Sequence, residues 1–122
     1  PYEVLPFFQL TYVENTGVAF GMGQGGNLFF MISTVLILGA LLWMRRKWEK
    51  EEPDNLKLKV GLALVISGAL GNLYDRIAYG FVVDFLDFFV GGWHWPAFNV
   101  ADSCICVGAF LLALSQWKKK AA

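Results

Sequence analysis

The sequence predicts an all-α integral membrane protein, a helix bundle of three spans with a small extracytoplasmic β element, and three observations predict it. Of 122 residues, 57% are hydrophobic and the mean hydropathy is +0.50, more apolar than a soluble domain of this size needs for its core. Three runs are long and apolar enough to cross, or nearly cross, a hydrocarbon layer about 30 Å thick. The 10 basic and 10 acidic side chains cancel in number but not in position, which gives the bundle a direction.

Taken in order, residues 1–26 form an outer β and loop region. Pro1 to Phe8 lacks the basic start and small-residue cleavage site of a secretory leader, so insertion is expected to rely on the spans themselves. Leu10–Val13 and Val18–Phe20 read as two brief strands around a turn at Asn15 and Gly17. Gly21 to Gly26 matches G-x-G-x-x-G, but a membrane span follows it and no βαβ unit surrounds it, so a flexible loop is expected rather than a dinucleotide site. The first span covers 28–44, Leu28 to Met44, interrupted only by Ser33 and Thr34. The second covers 58–76; its apolar stretch runs from Val60 to Tyr74, and Asn72, Asp75 and Arg76 mark its end. Ala63, Ser67 and Gly71 make an i, i+4 stripe of small residues on which another helix can pack closely. Residues 77–97 form an outer segment in which Asp84 and Asp87 are set into apolar Phe81–Val90, and Trp93, Trp95 and Phe98 follow as an interfacial aromatic belt. The third span covers 98–117, with Asp102 in its first turns and Lys118–Lys120 behind it. The whole chain, 1–122, reads as one membrane domain.

Nine of the 10 basic residues flank the connection between the first two spans or follow the third. The positive-inside bias therefore places that connection and the C-terminus in the cytoplasm, with residues 1–26 and 77–97 outside. A net charge of zero gives no reason to expect a nucleic-acid partner. Cys104 and Cys106 point about 200° apart on a helix, which disfavours a disulfide or a shared metal. His94 stands alone between Trp93 and Trp95, and no Cys or His pair has metal-ligand spacing.

The chemistry lies in the acids. An ionisable group at membrane depth costs at least about 2.5 kcal/mol, so Asp102 within a span needs a partner or a purpose. Asn99 lies three residues before it and Asn72 three before Asp75, so two N-x-x-D turns meet at the outer level. Asp102 as a helix cap and Asp75–Arg76 as an ion pair would explain part of this. Neither explains Asp84, a carboxylate inside Val82-Val83-Asp84-Phe85. Two carboxyls converging in a poorly hydrated pocket share a proton, which is what aspartic proteolysis requires. The alternative is a small membrane transporter or channel subunit that relays protons or cations through Asp75, Asp84 and Asp102. Against it, these acids sit at the outer end and no polar path continues through Leu28–Met44 or Cys106–Leu114.

Four blocks in order, Val13-Glu14-Asn15-Thr16-Gly17-Val18-Ala19-Phe20, Gly68 to Arg76, Val82 to Phe85 and Pro96 to Ser103, resemble the signature blocks of lipoprotein signal peptidase, the type II or prolipoprotein signal peptidase. The resemblance implies an aspartic endopeptidase of the bacterial cytoplasmic (inner) membrane with its active site at the outer face. By resemblance, Asp84 and Asp102 are the catalytic pair. Asn15, Asn72, Arg76 and Asn99 bind substrate, supported by Asp75, which holds Arg76, and by Gly17. The implied substrates are lipid-modified prolipoproteins cut before a diacylglyceryl-modified cysteine, in contact with membrane lipid, without metal or organic cofactor, and with globomycin-like peptides as inhibitors. The family ordinarily has four spans and cytoplasmic termini, so the resemblance also implies that this chain lacks the family's first span.

Overall fold

The computed structural model describes residues 1–17 and 23–121, without the side chains of 118–121. The expected strand Val18–Phe20 lies outside the described residues. Seven elements follow one another: β1 (Tyr2–Leu5), β2 (Phe8–Asn15), α1 (Asn27–Glu51), α2 (Leu56–Tyr79), β3 (Val82–Val90), β4 (Trp93–His94) and α3 (Val100–Ala121). Three helices are long and apolar enough to cross a membrane, as expected.

Class and boundaries differ from expectation in instructive ways. The β element is a four-stranded antiparallel sheet in the order β1-β2-β3-β4, larger than a minor addition to an all-α bundle. The span Phe81–Val90 conceals its strand because large apolar residues occupy both of its faces, which erases the two-residue alternation. Two-residue turns close the outer hairpins, Pro6-Phe7 between β1 and β2 and Gly91-Gly92 between β3 and β4. Gly91 takes φ +59°, a conformation this tight turn needs and a Cβ resists. Helix α1 runs on past Met44 because Arg45 to Glu51 are good helix formers, with Arg45 and Glu49 paired at 3.7 Å along one face. Hydropathy stops there; the helix does not.

Helix α2 is the hub of the bundle. Its buried Leu58, Leu62 and Ile66 join Leu38 of α1 in the core, with Trp48, Leu73 and Leu112 packed around them. Its approach to α3 is close enough to exclude side chains. A Cβ on Gly61 would lie 2.9 Å from the Gly108 carbonyl oxygen, one on Gly108 2.7 Å from that of Gly61, and one on Gly68 2.5 Å from that of Ala101. The expected Ala63–Ser67–Gly71 stripe does not make this contact, since all three are exposed. Helix α2 carries several rows of small residues, and in lipid it is shape fit, not apolarity, that selects the row used.

The helix ends set the site. Asn55 caps α2, its side chain accepting from Leu58 N–H at 3.1 Å. At the other end Gly80, at φ +83°, donates its N–H to the Arg76 carbonyl and turns the chain into β3. The sheet, the end of α2 and the starts of α1 and α3 thus gather at one pole, while the α1–α2 connection, with the basic helix ends that flank it, and the end of α3 gather at the other.

Candidate active site

Asn15 and Asp84 meet through strand pairing. The β2–β3 register sets Asn15 opposite Val82 and Val13 opposite Asp84, so Asn15 and Asp84 are diagonal neighbours. Asn15 Nδ2 donates to Asp84 Oδ2 at 2.9 Å. Asp84 is 1% exposed, a burial a carboxylate tolerates only with hydrogen bonds to both oxygens. The second comes from Asn99 Nδ2, 3.2 Å from Oδ1.

Asn99 and Asp102 form a reciprocal cap at the start of α3. Asp102 N–H donates to Asn99 Oδ1 at 2.8 Å and Asn99 N–H to Asp102 Oδ2 at 3.4 Å, satisfying two donors that a helix start leaves open. The capping role open to Asp102 from sequence is therefore real, and incomplete. Its other oxygen, Oδ1, accepts from Asn72 Nδ2 at 3.2 Å, while Asn72 Oδ1 accepts from Asn99 Nδ2 at 3.4 Å. Because a backbone N–H holds Asn99 Oδ1, the Asn99 nitrogen must face Asp84 and Asn72. Asn99 and Asn72 thus link the two carboxyls by hydrogen bonds.

All six residues expected to act, Asn15, Asn72, Arg76, Asp84, Asn99 and Asp102, line one cavity of about 230 Å³, whose remaining wall includes Phe30, Ala69, Val82, Ile105 and Cys106. Burial pushes the Asp84 carboxyl up to about 6, and the Asp102 charge adds to the rise; hydrogen bonds from Asn15 and Asn99 and the Arg76 charge pull the other way. Arg76 is 7% exposed. Its guanidinium donates to the Gly17 carbonyl and, at 3.2 Å, to Asn27 Oδ1, and lies 5.5 Å from the centre of the Phe30 ring. Gly17 in turn donates its N–H to Asn15 Oδ1 at 2.8 Å.

Asp75 is placed differently from expectation. Among the described residues it forms no ion pair with Arg76, and it does not line the cavity. Neighbours in a helix sequence point about 100° apart, and Arg76 turns inward to the loop. The partners sequence reasoning missed are Asn27, which also donates from Nδ2 to the Arg76 carbonyl at 3.3 Å, and Gln24, which reaches Asn15. No local motif announces either; only the fold brings them in. Asp87 belongs to a second polar group, accepting from Gln9 Nε2 at 2.6 Å and lying 2.9 Å from His94 Nδ1. Burial alone would raise its carboxyl, but His94 and Gln9 outweigh that and hold it below the usual carboxylate range.

Residues 1–118 match the family model for Signal peptidase (SPase) II. Proteins named lipoprotein signal peptidase are similar over nearly the whole chain. That of Alteromonas mediterranea is 47% identical, covering 95% of this chain and 64% of the relative. That of Vibrio campbellii is 45% identical over 98% of this chain and 72% of the relative. That of Syntrophotalea carbinolica is 45% identical over 96% and 75%. The chain thus spans between 64% and 75% of the length of these curated relatives. A bacterial membrane enzyme solved by the in meso method at 2.3 Å resolution superposes with a TM-score of 0.83 at 38% identity, over 98% of this chain and 71% of that one. A second, at 1.9 Å resolution, gives 0.77 at 39% identity, over 96% and 74%. With residues 1–118 matching the family model and these identities extending over nearly the whole chain, the chain belongs to the signal peptidase II family.

Proposed function

We propose that this protein is an aspartic endopeptidase of the bacterial inner membrane that removes signal peptides from diacylglyceryl-modified prolipoproteins, cutting before the lipidated cysteine, with Asp84 and Asp102 as its catalytic pair. The observation that carries this is the placement of two carboxyls, from a strand and from a helix start, at one cavity and joined by shared asparagine amides.

The chemistry needs one proton between the two acids. The ionised carboxylate takes a proton from water as its oxygen attacks the scissile carbonyl carbon; the protonated partner donates to the carbonyl oxygen, and the C=O bond becomes a gem-diol. A proton then passes to the leaving nitrogen, the C–N bond breaks and the carbonyl re-forms. Burial raises the Asp84 carboxyl to about 6, which supports a shared proton held there from below neutral pH. Arg76 and the asparagines suit the backbone of an extended peptide. The apolar wall of Phe30, Ala69, Ile105 and Cys106 suits a substrate whose acyl chains stay in the bilayer, and globomycin-like peptides would compete for this cavity. The basic residues at the opposite pole favour an outer-face site. Below the site, Leu38, Leu58, Leu62 and Ile66 pack without a polar path, which disfavours a proton or cation relay.

The test is to incubate the purified membrane protein with matched precursors, with and without the diacylglyceryl group, and to identify the new N-terminus by mass spectrometry. A product beginning at the lipidated cysteine, from the modified precursor alone, is expected. Cleavage elsewhere, or equal cleavage of both precursors, would reject the proposal.

A further inference from the structure

The glycine-rich stretch 21–26 carries a role its G-x-G-x-x-G pattern does not suggest. Its described part is a tight turn: Gly23 at φ +69° and Gly25 at φ +88° flank Gln24, and Gly26 N–H donates to the Gly23 carbonyl at 3.2 Å. Left-handed residues on both sides carry the Gln24 side chain back over the end of β2. There its Oε1 accepts from Thr16 N–H at 3.1 Å and from Thr16 Oγ1 at 3.2 Å, while its Nε2 donates to Asn15 Oδ1 at 2.6 Å. Thr16 Oγ1 closes the turn by accepting from Gly25 N–H at 2.6 Å.

Two backbone amides determine which way both side-chain amides point. Thr16 N–H can only donate, so the Gln24 atom facing it is oxygen and the atom facing Asn15 is nitrogen. Gly17 N–H, 2.8 Å from Asn15 Oδ1, likewise makes that atom an acceptor. With Gln24 and Gly17 both donating to Oδ1, the Asn15 nitrogen is turned to the other side, where it donates to Asp84 Oδ2 at 2.9 Å. An Asn amide turned by 180° would set oxygen against carboxylate and lose both donors behind it.

We propose that Gln24 is a positioning residue for the carboxyl pair: by donating to Asn15 Oδ1 it holds the Asn15 amide with its nitrogen on Asp84. Gln24 acts through Asn15, and its importance to catalysis rests on the peptidase reading above. The hydrogen bond it secures favours ionised Asp84, so releasing it moves that ionisation upward.

Two substitutions separate this role from simpler ones. Gln24→Glu keeps an acceptor for Thr16 but sets a carboxylate oxygen against Asn15 Oδ1. Gln24→Met is near in size and neutral, and neither accepts nor donates there. Positioning through Asn15 predicts that both variants move Asp84 ionisation upward, by about one pH unit for Met and more for Glu, as expected for a lost hydrogen bond to a charged group. Mere tethering of the loop predicts a shift in Met and none in Glu. A bare charge effect predicts a shift in Glu and none in Met.

The primary measurement is a carboxyl ¹³C titration of the full chain in detergent, with the Asp84 signal assigned by its loss in Asp84→Asn; it needs no turnover. Alongside it, kcat for a diacylglyceryl-modified precursor should show its alkaline limb, on which the pair loses its single proton near pH 6 in the wild type, displaced upward in both variants with KM little changed. Upward shifts in both variants support the role of Gln24. An unmoved Asp84 in either variant overturns it. If the wild-type protein turned over no precursor, the peptidase reading would fall while the titration still decided whether Gln24 orients Asn15.

Discussion

At the scale of single residues, Asp84 is the group whose environment departs furthest from water. Its carboxyl is raised to about 6 by burial, which has two consequences. The single proton the pair needs then sits on Asp84 and is lost as pH rises through about 6, so cleavage is expected to fall on the alkaline side of that value; a pH profile of kcat checks this. Stability follows the same proton. A carboxyl raised in the folded protein favours folding below the unfolded carboxylate range near 4, and that contribution is lost as pH rises through about 6. The thermal midpoint of Asp84→Asn minus that of wild type should therefore increase between about pH 4 and pH 7. A flat difference would mean that Asp84 titrates like an exposed acid. Asp87 supplies the contrast, because Gln9 and His94 hold it low. Asp87→Asn should retain most activity and cost about 1 kcal/mol of stability through the weakened hydrogen bonds, read as a lowered melting temperature.

At the scale of elements, much was legible and the failures have identifiable causes. The helices showed because hydropathy persists over a span, and Asn99 three residues before Asp102 marked a helix start that the reciprocal cap realises. Strand β3 hid because residues such as Phe85, Leu86, Phe88 and Phe89 erase alternation. Gln24 and Asn27 hid because their partners lie in other elements. The small-residue row in use was also invisible, since Ala63, Ser67 and Gly71 look as suitable as Gly61 and Gly68 until α3 is in place. This gives a test. Gly68→Val puts a branched side chain against the Ala101 carbonyl and Ile105 and should cost about 2 kcal/mol or more, with activity lost because the start of α3 carries Asn99 and Asp102. Ser67→Val, on the exposed row, should leave the melting temperature nearly unchanged. The reverse order would place the α2–α3 contact on the wrong face.

At the scale of the molecule, the two poles differ: the carboxyls of the site and the sheet lie at one, the basic helix ends that flank the α1–α2 connection at the other. Positive-inside placement predicts that position 50 is cytoplasmic and position 92, in the β3–β4 turn, is outside. Single cysteines at these sites, in a background lacking Cys104 and Cys106, should react with an impermeant reagent in intact cells at 92 and not at 50. Charge placement gives the bundle the direction that this labelling tests. That the carboxyls share a cavity was expected through the resemblance and not from spacing, because Asp84 and Asp102 are brought together by the sheet packing across the helix ends. The central claim is that these two acids act as a pair, and it is tested most directly by precursor processing with Asp84→Asn and Asp102→Asn beside Asp87→Asn. Asparagine nearly preserves shape but is neither a general base nor a general acid. Each of the first two variants should therefore lose at least about two to four orders of magnitude in rate while remaining folded, with Asp87→Asn close to wild type. Near-normal processing by either Asp84→Asn or Asp102→Asn would contradict the pair.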